Sequence, residues 1–138
     1  MKLKLMQIAL VVKDYDEAIN YYTEKLEFNL LEDTKLSESK RWVILGIGKA
    51  STCNLLLAKA ANDEQLSRVG NQSGGRVFLF LYTQDFQKDY NTLKENGVSF
   101  VREPVLETWG MVAVFKDLYG NLWDLIEPKN YFNKNILD

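Results

Sequence analysis

The chain has 138 residues, of which 46% are hydrophobic and 26% are charged, and its net charge is −2. This length predicts one domain, or two small half-domains that share a core, and no disulfide is needed to stabilise it. The basic residues are scattered and no apolar run approaches a membrane span, so nucleic acid and membranes are not expected partners. Cys53 is the single cysteine, which predicts a reducing, cytoplasmic location.

The sequence contains no histidine. Zinc, nickel and iron sites usually use imidazole ligands, so any metal in this chain would need a site built from oxygen ligands. Nucleophiles that depend on a histidine base, as in Ser–His and Cys–His pairs, are excluded for the same reason.

The first half of the chain is predicted to follow the order βαβββ. A strand at 3–12 is followed by a helix that begins after Asp14, with Glu17 completing a capping box. Helical spacing directs one set of side chains towards the core: Tyr15, Ala18, Ile19, Tyr22 and Leu26. The remaining strands of this half are predicted at 29–36, 41–48 and 52–59.

The second half repeats this order after a polar, glycine-rich segment that is interpreted as a linker or loop. A strand at 76–83 leads to a helix with Asp85 as its N-cap and Gly97 as its terminating residue. A loop is predicted after Pro104. The remaining strands are predicted at 99–103, 111–117 and 121–128.

The repeat of one pattern predicts the fold. Asp14 and Asp85 are 71 residues apart, and Asn54 and Asp124 are 70 residues apart. We therefore expect an α+β fold of two βαβββ modules related by internal duplication, with curved mixed sheets that enclose a cleft. The predicted boundaries are 1–60 for the first module, 61–75 for the linker, and 76–138 for the second module and the C-terminal tail.

The double βαβββ order, the early segment IALVVKDYDEAINYYTEKLEF and the late segment FKDLYGNLWDLIEP resemble the vicinal oxygen chelate superfamily. This superfamily includes glyoxalase I, the bleomycin-resistance proteins, extradiol dioxygenases and fosfomycin-resistance thiol transferases. The late segment resembles the family's D-x-x-G-N-x-x-E-L motif at Asp117, Gly120, Asn121, Asp124 and Leu125. Because such folds host lyases, oxygenases, transferases and binding proteins, the activity has to be argued from the site.

Enzymes of this superfamily usually hold a divalent metal with four side chains, mostly His and Glu. The resemblance carries these positions onto Gln7, Asn54, Phe78 and Asp124. Only Asp124 is a good ligand, whereas Mg²⁺ or Ca²⁺ normally needs more than one carboxylate. We therefore expect neither the usual metal site nor another cofactor.

Strand alternation predicts an apolar and aromatic cleft with a few polar groups. The predicted ligand-binding residues are Gln7, Asn54, Phe78, Phe80, Tyr82, Trp109 and Asp124. The main hypothesis is a metal-free protein, similar to bleomycin-resistance proteins, that binds a small apolar or aromatic molecule. Trp109, in a predicted loop, would cap the cleft or contact a second subunit. The resemblance also implies a homodimer.

Two other functions stay open at the level of sequence. The chain would be a glyoxalase- or dioxygenase-type enzyme if Asp124, together with Glu107, acted as acid or base with an atypical cation or without metal. It would be a homodimer without a ligand if its own side chains filled the cleft. The plainer interpretations make Phe78 and Phe80 core residues. They also pair Asp124 with Arg41 or Arg76.

Overall fold

A computed structural model describes residues 1–49 and 53–129 of the chain. The chain divides into two compact units, Met1–Gln72 and Ser73–Asp138. Each unit contains one four-stranded mixed sheet and one ten-residue helix, which confirms the predicted α+β fold of two βαβββ modules. No helix within the described residues is long and apolar enough to cross a membrane.

The first unit is built on a sheet with one parallel strand pair. Its elements are β1 (Gln7–Val12), α1 (Tyr15–Glu24), β2 (Asn29–Lys35), β3 (Arg41–Gly46), β4 (Asn54–Lys59) and α2 (Asp63–Leu66). The strand order is β1–β4–β3–β2, and only β1 and β4 run parallel. The helix α1 packs against this sheet at β4.

The second unit repeats this arrangement. Its elements are β5 (Val77–Tyr82), α3 (Phe86–Glu95), β6 (Ser99–Glu107), β7 (Gly110–Lys116) and β8 (Leu122–Pro128). The strand order is β5–β8–β7–β6, and only β5 and β8 run parallel. Contacting aromatic rings join α3 to one side of the sheet. They run from Tyr90 through Phe100 and Phe115 to Trp123, with centroid distances of 4.6, 5.6 and 5.7 Å.

Both ten-residue helices begin at the predicted aspartates. Asp14 accepts a hydrogen bond from the Glu17 backbone N–H at 2.8 Å, and Asp85 accepts one from the Lys88 N–H at 3.2 Å. These bonds satisfy donors that the first turn of a helix leaves open. Gly97 follows α3 with φ 92°, the left-handed conformation expected of a terminating glycine.

The predicted core side of α1 is confirmed. Tyr15, Ala18, Tyr22 and Leu26 are buried, and Ile19 is half-buried. The strand before the helix differs from the prediction, because β1 begins at residue 7 rather than at residue 3. Periodicity therefore located the buried face of the helix but not the first residue of the neighbouring strand.

The turn between β7 and β8 is held by Asp117. Its Oδ1 accepts hydrogen bonds from the backbone N–H groups of residues 119–121. Its Oδ2 accepts from the side chains of Asn121 and Trp123 at 3.1 and 3.0 Å. Gly120 has φ 110°, which residues with side chains rarely adopt. The motif that carries the family resemblance therefore anchors the start of β8 in this chain.

The strand β6 is longer than the sequence predicts. A loop was predicted after Pro104, but the strand continues through Glu107. Proline is tolerated because β6 is an edge strand and its register shifts after Arg102. Pairing of Glu107 with Gly110 reduces the predicted loop to a two-residue turn that contains Trp109.

The segment interpreted as a linker contains a short helix, α2. Asn62 accepts a hydrogen bond from the Gln65 backbone N–H at 2.9 Å and so caps this helix. The pattern Asn-x-x-Gln at a helix start is a recognised capping signal, and it would have predicted α2 from sequence. The boundary between the two compact units falls after Gln72, within the same segment.

Candidate functional site

In each unit, one side of the sheet carries the ten-residue helix; we call the other side the helix-free face. In the second unit, Phe80, Asp124, Val114 and Arg102 are paired in one row across β5, β8, β7 and β6. Directly paired residues point to the same side of a sheet, so these four side chains share the helix-free face. By the same register this face also includes Tyr82, Val105, Glu107, Val112 and Ile126.

This face has an apolar middle and exposed aromatic side chains at its β5 edge. Val112, Val114 and Ile126 are buried, whereas Phe80 is 59% exposed and Tyr82 is 37% exposed. Phe80 is therefore not the core residue of the plainer interpretation. The two exposed rings, rather than the buried aliphatic side chains, offer an apolar surface to a ligand or a partner.

Asp124 lies half-buried in the middle of this row. Burial removes water from its carboxyl and raises its pKa, whereas the charge of Arg102 acts in the opposite direction. Arg102 itself donates a hydrogen bond to Glu107, with 3.0 Å between Nη2 and Oε1. Sequence reasoning missed Arg102, because only the strand register shows that it shares a row with Asp124.

Arg41, a proposed partner of Asp124, pairs with other carboxylates inside the first unit. Its guanidinium lies 2.6 Å from an oxygen of Asp33 and 2.9 Å from an oxygen of Asp16. The hydrogen bond from Arg41 is the main reason why the pKa of Asp33 is lowered. No ion pair within residues 1–49 and 53–129 includes Asp124, so the predicted structural pair with Arg41 or Arg76 is not found there.

Two predicted aromatic site residues have different environments. Phe80 lies directly opposite Asp124, whereas Phe78 lies where the register of β5 against β8 shifts, between Val77 and Leu79. Phe78 is half-buried. Trp109 is 50% exposed in the turn between β6 and β7. Only Phe80 is thus paired directly with the candidate carboxylate.

In the first unit, Gln7 and Asn54 are paired directly across β1 and β4, on the helix-free face. The Oδ1 atom of Asn54 is buried and accepts no hydrogen bond from any residue in the described part of the chain. A buried acceptor without a donor costs about 1–3 kcal/mol. A ligand or a water molecule that donates to Asn54 would recover this free energy.

The residues present do not fit the divalent metal that the family resemblance implies. The first unit contains two neutral amides at the relevant positions, Gln7 and Asn54, while the second contains Asp124 and the non-coordinating Phe78. No cluster of three or more Cys, Asp or Glu side chains suited to a metal ion occurs among the described residues. Mg²⁺ and Ca²⁺ normally require several oxygen ligands, including more than one carboxylate.

Comparison with known proteins gives the family. The model of the Glyoxalase/Bleomycin resistance protein/Dioxygenase superfamily matches residues 4–125, and the chain belongs to this superfamily. An uncharacterized protein from Shewanella frigidimarina (strain NCIMB 400) is 54% identical over 128 residues, which cover 92% of this chain and 95% of the relative.

Two solved structures resemble the chain over nearly their whole length. UcmS2 has a TM-score of 0.80 and 30% identity, and the match covers 91% of this chain and 98% of UcmS2. TnmS3, an antibiotic binding protein from Streptomyces sp. CB03234, has a TM-score of 0.73 and 26% identity. That match covers 93% of this chain and 98% of TnmS3.

Proposed function

We propose that this member of the glyoxalase/bleomycin resistance protein/dioxygenase superfamily binds a small aromatic or apolar molecule without a divalent metal. The proposed site is the helix-free face of the second sheet. The observation that carries the proposal is the exposed ring of Phe80 directly opposite the half-buried carboxyl of Asp124. Apolar walls that give affinity, with a few polar groups that orient the ligand, are the usual composition of a small-molecule site.

Each part of this face has a distinct role in the proposal. The exposed rings of Phe80 and Tyr82 stack on the ligand. Asp124 orients the ligand by accepting a hydrogen bond or by pairing with a charge.

The likeness to TnmS3 supports binding of a small molecule, since that protein is described as an antibiotic binding protein. A shared fold does not transfer a ligand, so the ligand class has to be found by experiment. The cleft enclosed by both sheets, the homodimer, the cytoplasmic location and the role of Trp109 stay predictions.

Metal content provides the first test. Untagged protein, which lacks the histidines of a purification tag, is incubated separately with Mg²⁺, Mn²⁺, Fe²⁺, Ni²⁺ and Zn²⁺ and then dialysed. We expect no stoichiometric metal to remain, because the donor set is poor. Tight, stoichiometric metal that disappears in Asp124→Ala would contradict a metal-free site.

Ligand binding provides the second test. A thermal-shift screen of aromatic compounds and antibiotics is expected to give hits, because a ligand present at 100 times its Kd stabilises by about 2.7 kcal/mol. Phe80→Ala should weaken a hit at least about fivefold, which corresponds to roughly 1 kcal/mol.

Leu106→Ala is the matched control for Phe80→Ala. Leu106 is 63% exposed, similar to the 59% of Phe80, but it lies on the other side of the same sheet. Its replacement should leave the affinity for the hit unchanged. Equal weakening by both substitutions would contradict the proposed site. An absence of hits would instead favour a homodimer whose cleft is filled by its own side chains.

A second candidate function is acid–base catalysis by Asp124, which the raised pKa of this carboxyl favours. Glu107, the other candidate acid, is bonded to Arg102 and is less suited to moving a proton. Turnover assays with hemithioacetals and catechols test this function. Activity that is lost in Asp124→Asn and kept in Glu107→Gln would support it over simple binding.

A further inference from the structure

Charged side chains are distributed unevenly over the helix-free face of the second sheet. Arg102 and Glu107 form an ion pair on the edge strand β6, with 3.0 Å between their closest atoms. Asp124 lies on β8, two strands away from Arg102 in the same row, and forms no ion pair with a described residue. Lys116 lies farther along this face, opposite Leu122.

The spacing explains why Arg102 only partly compensates Asp124. Two strand spacings separate their backbones by about 10 Å. An arginine side chain can bridge much of that gap, but the guanidinium of Arg102 is bonded to Glu107 instead. Glu107 therefore holds the nearby cation away from Asp124, and the carboxylate keeps its capacity to pair with another positive group.

The other neighbours of Asp124 suit a positive group that is attached to rings. Phe80 is its direct cross-strand partner on one side, and Val114 is its partner on the other. A cation over an aromatic ring gains about 0.5–2 kcal/mol, and a carboxylate that is already partly removed from water attracts a cation more strongly than one in bulk solvent. An anionic ligand would meet the carboxylate without any such gain.

We propose that the ligand of this face is an aromatic cation, whose ammonium or amidinium N–H groups pair with Asp124 while its rings lie on the exposed rings of Phe80 and Tyr82. This inference rests on the proposed function and names its ligand class. Glu107 is a positioning residue in this arrangement, because it acts on the ligand only by holding Arg102.

Three probes with one ring system separate charge from shape. These are 9-aminoacridine, a cation at pH 7.5, acridine, which is neutral there, and acridine-9-carboxylate, an anion. Their Kd values are measured by fluorescence titration on untagged protein at low ionic strength. Wild type should bind the cation at least about tenfold more tightly than the neutral probe, and the anion most weakly.

Substitutions of Asp124, Glu107 and Arg102 should change the affinity for the cationic probe in different directions. Asp124→Asn should weaken binding of the cation about tenfold or more and change the affinity for neutral acridine less than about twofold. Glu107→Gln should weaken only the cation, because the released Arg102 can pair with Asp124. Arg102→Gln should strengthen binding of the cation by removing the competing positive charge.

The neutral probe serves as the internal control for folding, since a misfolded variant would lose affinity for every probe. Equal affinity of wild type for cation and neutral probe, or an Asp124→Asn variant that weakens both equally, would overturn the inference. If Phe80→Ala still weakened all three probes in that case, the proposed binding function would stand. If no probe binds to wild type that circular dichroism shows to be folded, the result would count against both the aromatic-cation inference and the proposed binding function.

Discussion

The carboxyl of Asp117 offers the sharpest test of how this fold is held together. In Asp117→Asn, the remaining oxygen can still accept from the backbone N–H groups of residues 119–121. In the wild type, the side-chain N–H groups of Asn121 and Trp123 donate to Oδ2 of Asp117 at 3.1 and 3.0 Å. In the variant, the new NH₂ group would face these two donors and could not accept from them. Hydrogen bonds to a charged group contribute about 1.5–3 kcal/mol each, so we expect a loss of about 3–5 kcal/mol.

Urea denaturation followed by far-ultraviolet circular dichroism measures this loss as a lower midpoint at an unchanged slope. Asp63→Asn, at an exposed position in α2, is the control and should change stability by less than about 0.5 kcal/mol. A double-mutant cycle with Trp123→Phe isolates the contact to the indole N–H, with an expected coupling of about 1–3 kcal/mol. A cost below about 1 kcal/mol for Asp117→Asn, or strict additivity in the cycle, would refute the anchoring role of this carboxyl.

Three further predictions concern single side chains. The pKa of Asp124 in the folded protein is raised above its ordinary value of 3.8, so folding favours the protonated carboxyl. The free energy of unfolding is therefore highest below pH 3.8 and falls as the pH rises through the folded pKa and the carboxyl ionises. Asp124→Asn should therefore be more stable than wild type at pH 7, and urea midpoints should converge below pH 3.8. Arg41→Ala should lower the free energy of unfolding by about 1 kcal/mol at pH 7. This loss should be smaller in acid, because Asp33, whose folded pKa is lowered by Arg41, becomes protonated there; urea midpoints at pH 7 and pH 2 measure the two losses. If the predicted homodimer uses the exposed Trp109, sedimentation should show a dimer for wild type and a monomer for Trp109→Arg.

Local signals in the sequence predicted the local parts of this fold. Asp14 and Asp85 were identified as helix caps because an acceptor before a helical pattern satisfies the first open N–H groups. The end of β6 was predicted wrongly because Pro104 normally interrupts a sheet. Its position on an edge strand, where a missing N–H is tolerated, is a property of the sheet and cannot be read from neighbouring residues.

The charge environment of the candidate site depended on register in the same way. Sequence reasoning placed Asp124 on a strand face with apolar neighbours, and then proposed Arg41 or Arg76 as its partner. The cation that acts on it is Arg102, and this follows only from the pairing of both residues with Val114 on β7. Arg102 shares a face with Asp124 because the register of β6 against β7 shifts between Phe100 and Arg102, and no periodicity in the sequence records such a shift.

Two aspartates seven positions apart in one motif have opposite environments, and the contrast bears on function. Asp117 is buried and accepts hydrogen bonds from backbone and side-chain donors, so its charge is compensated inside the protein. Asp124 is half-buried, its pKa is raised by desolvation, and Arg102, whose charge opposes that shift, is hydrogen-bonded to Glu107. A group that destabilises the free protein at neutral pH is what the trade-off between stability and function predicts at a binding site. A ligand that donates a hydrogen bond or a positive charge to Asp124 would compensate the desolvation of this carboxylate. The free energy by which Asp124 destabilises the unliganded protein would then contribute to the binding free energy.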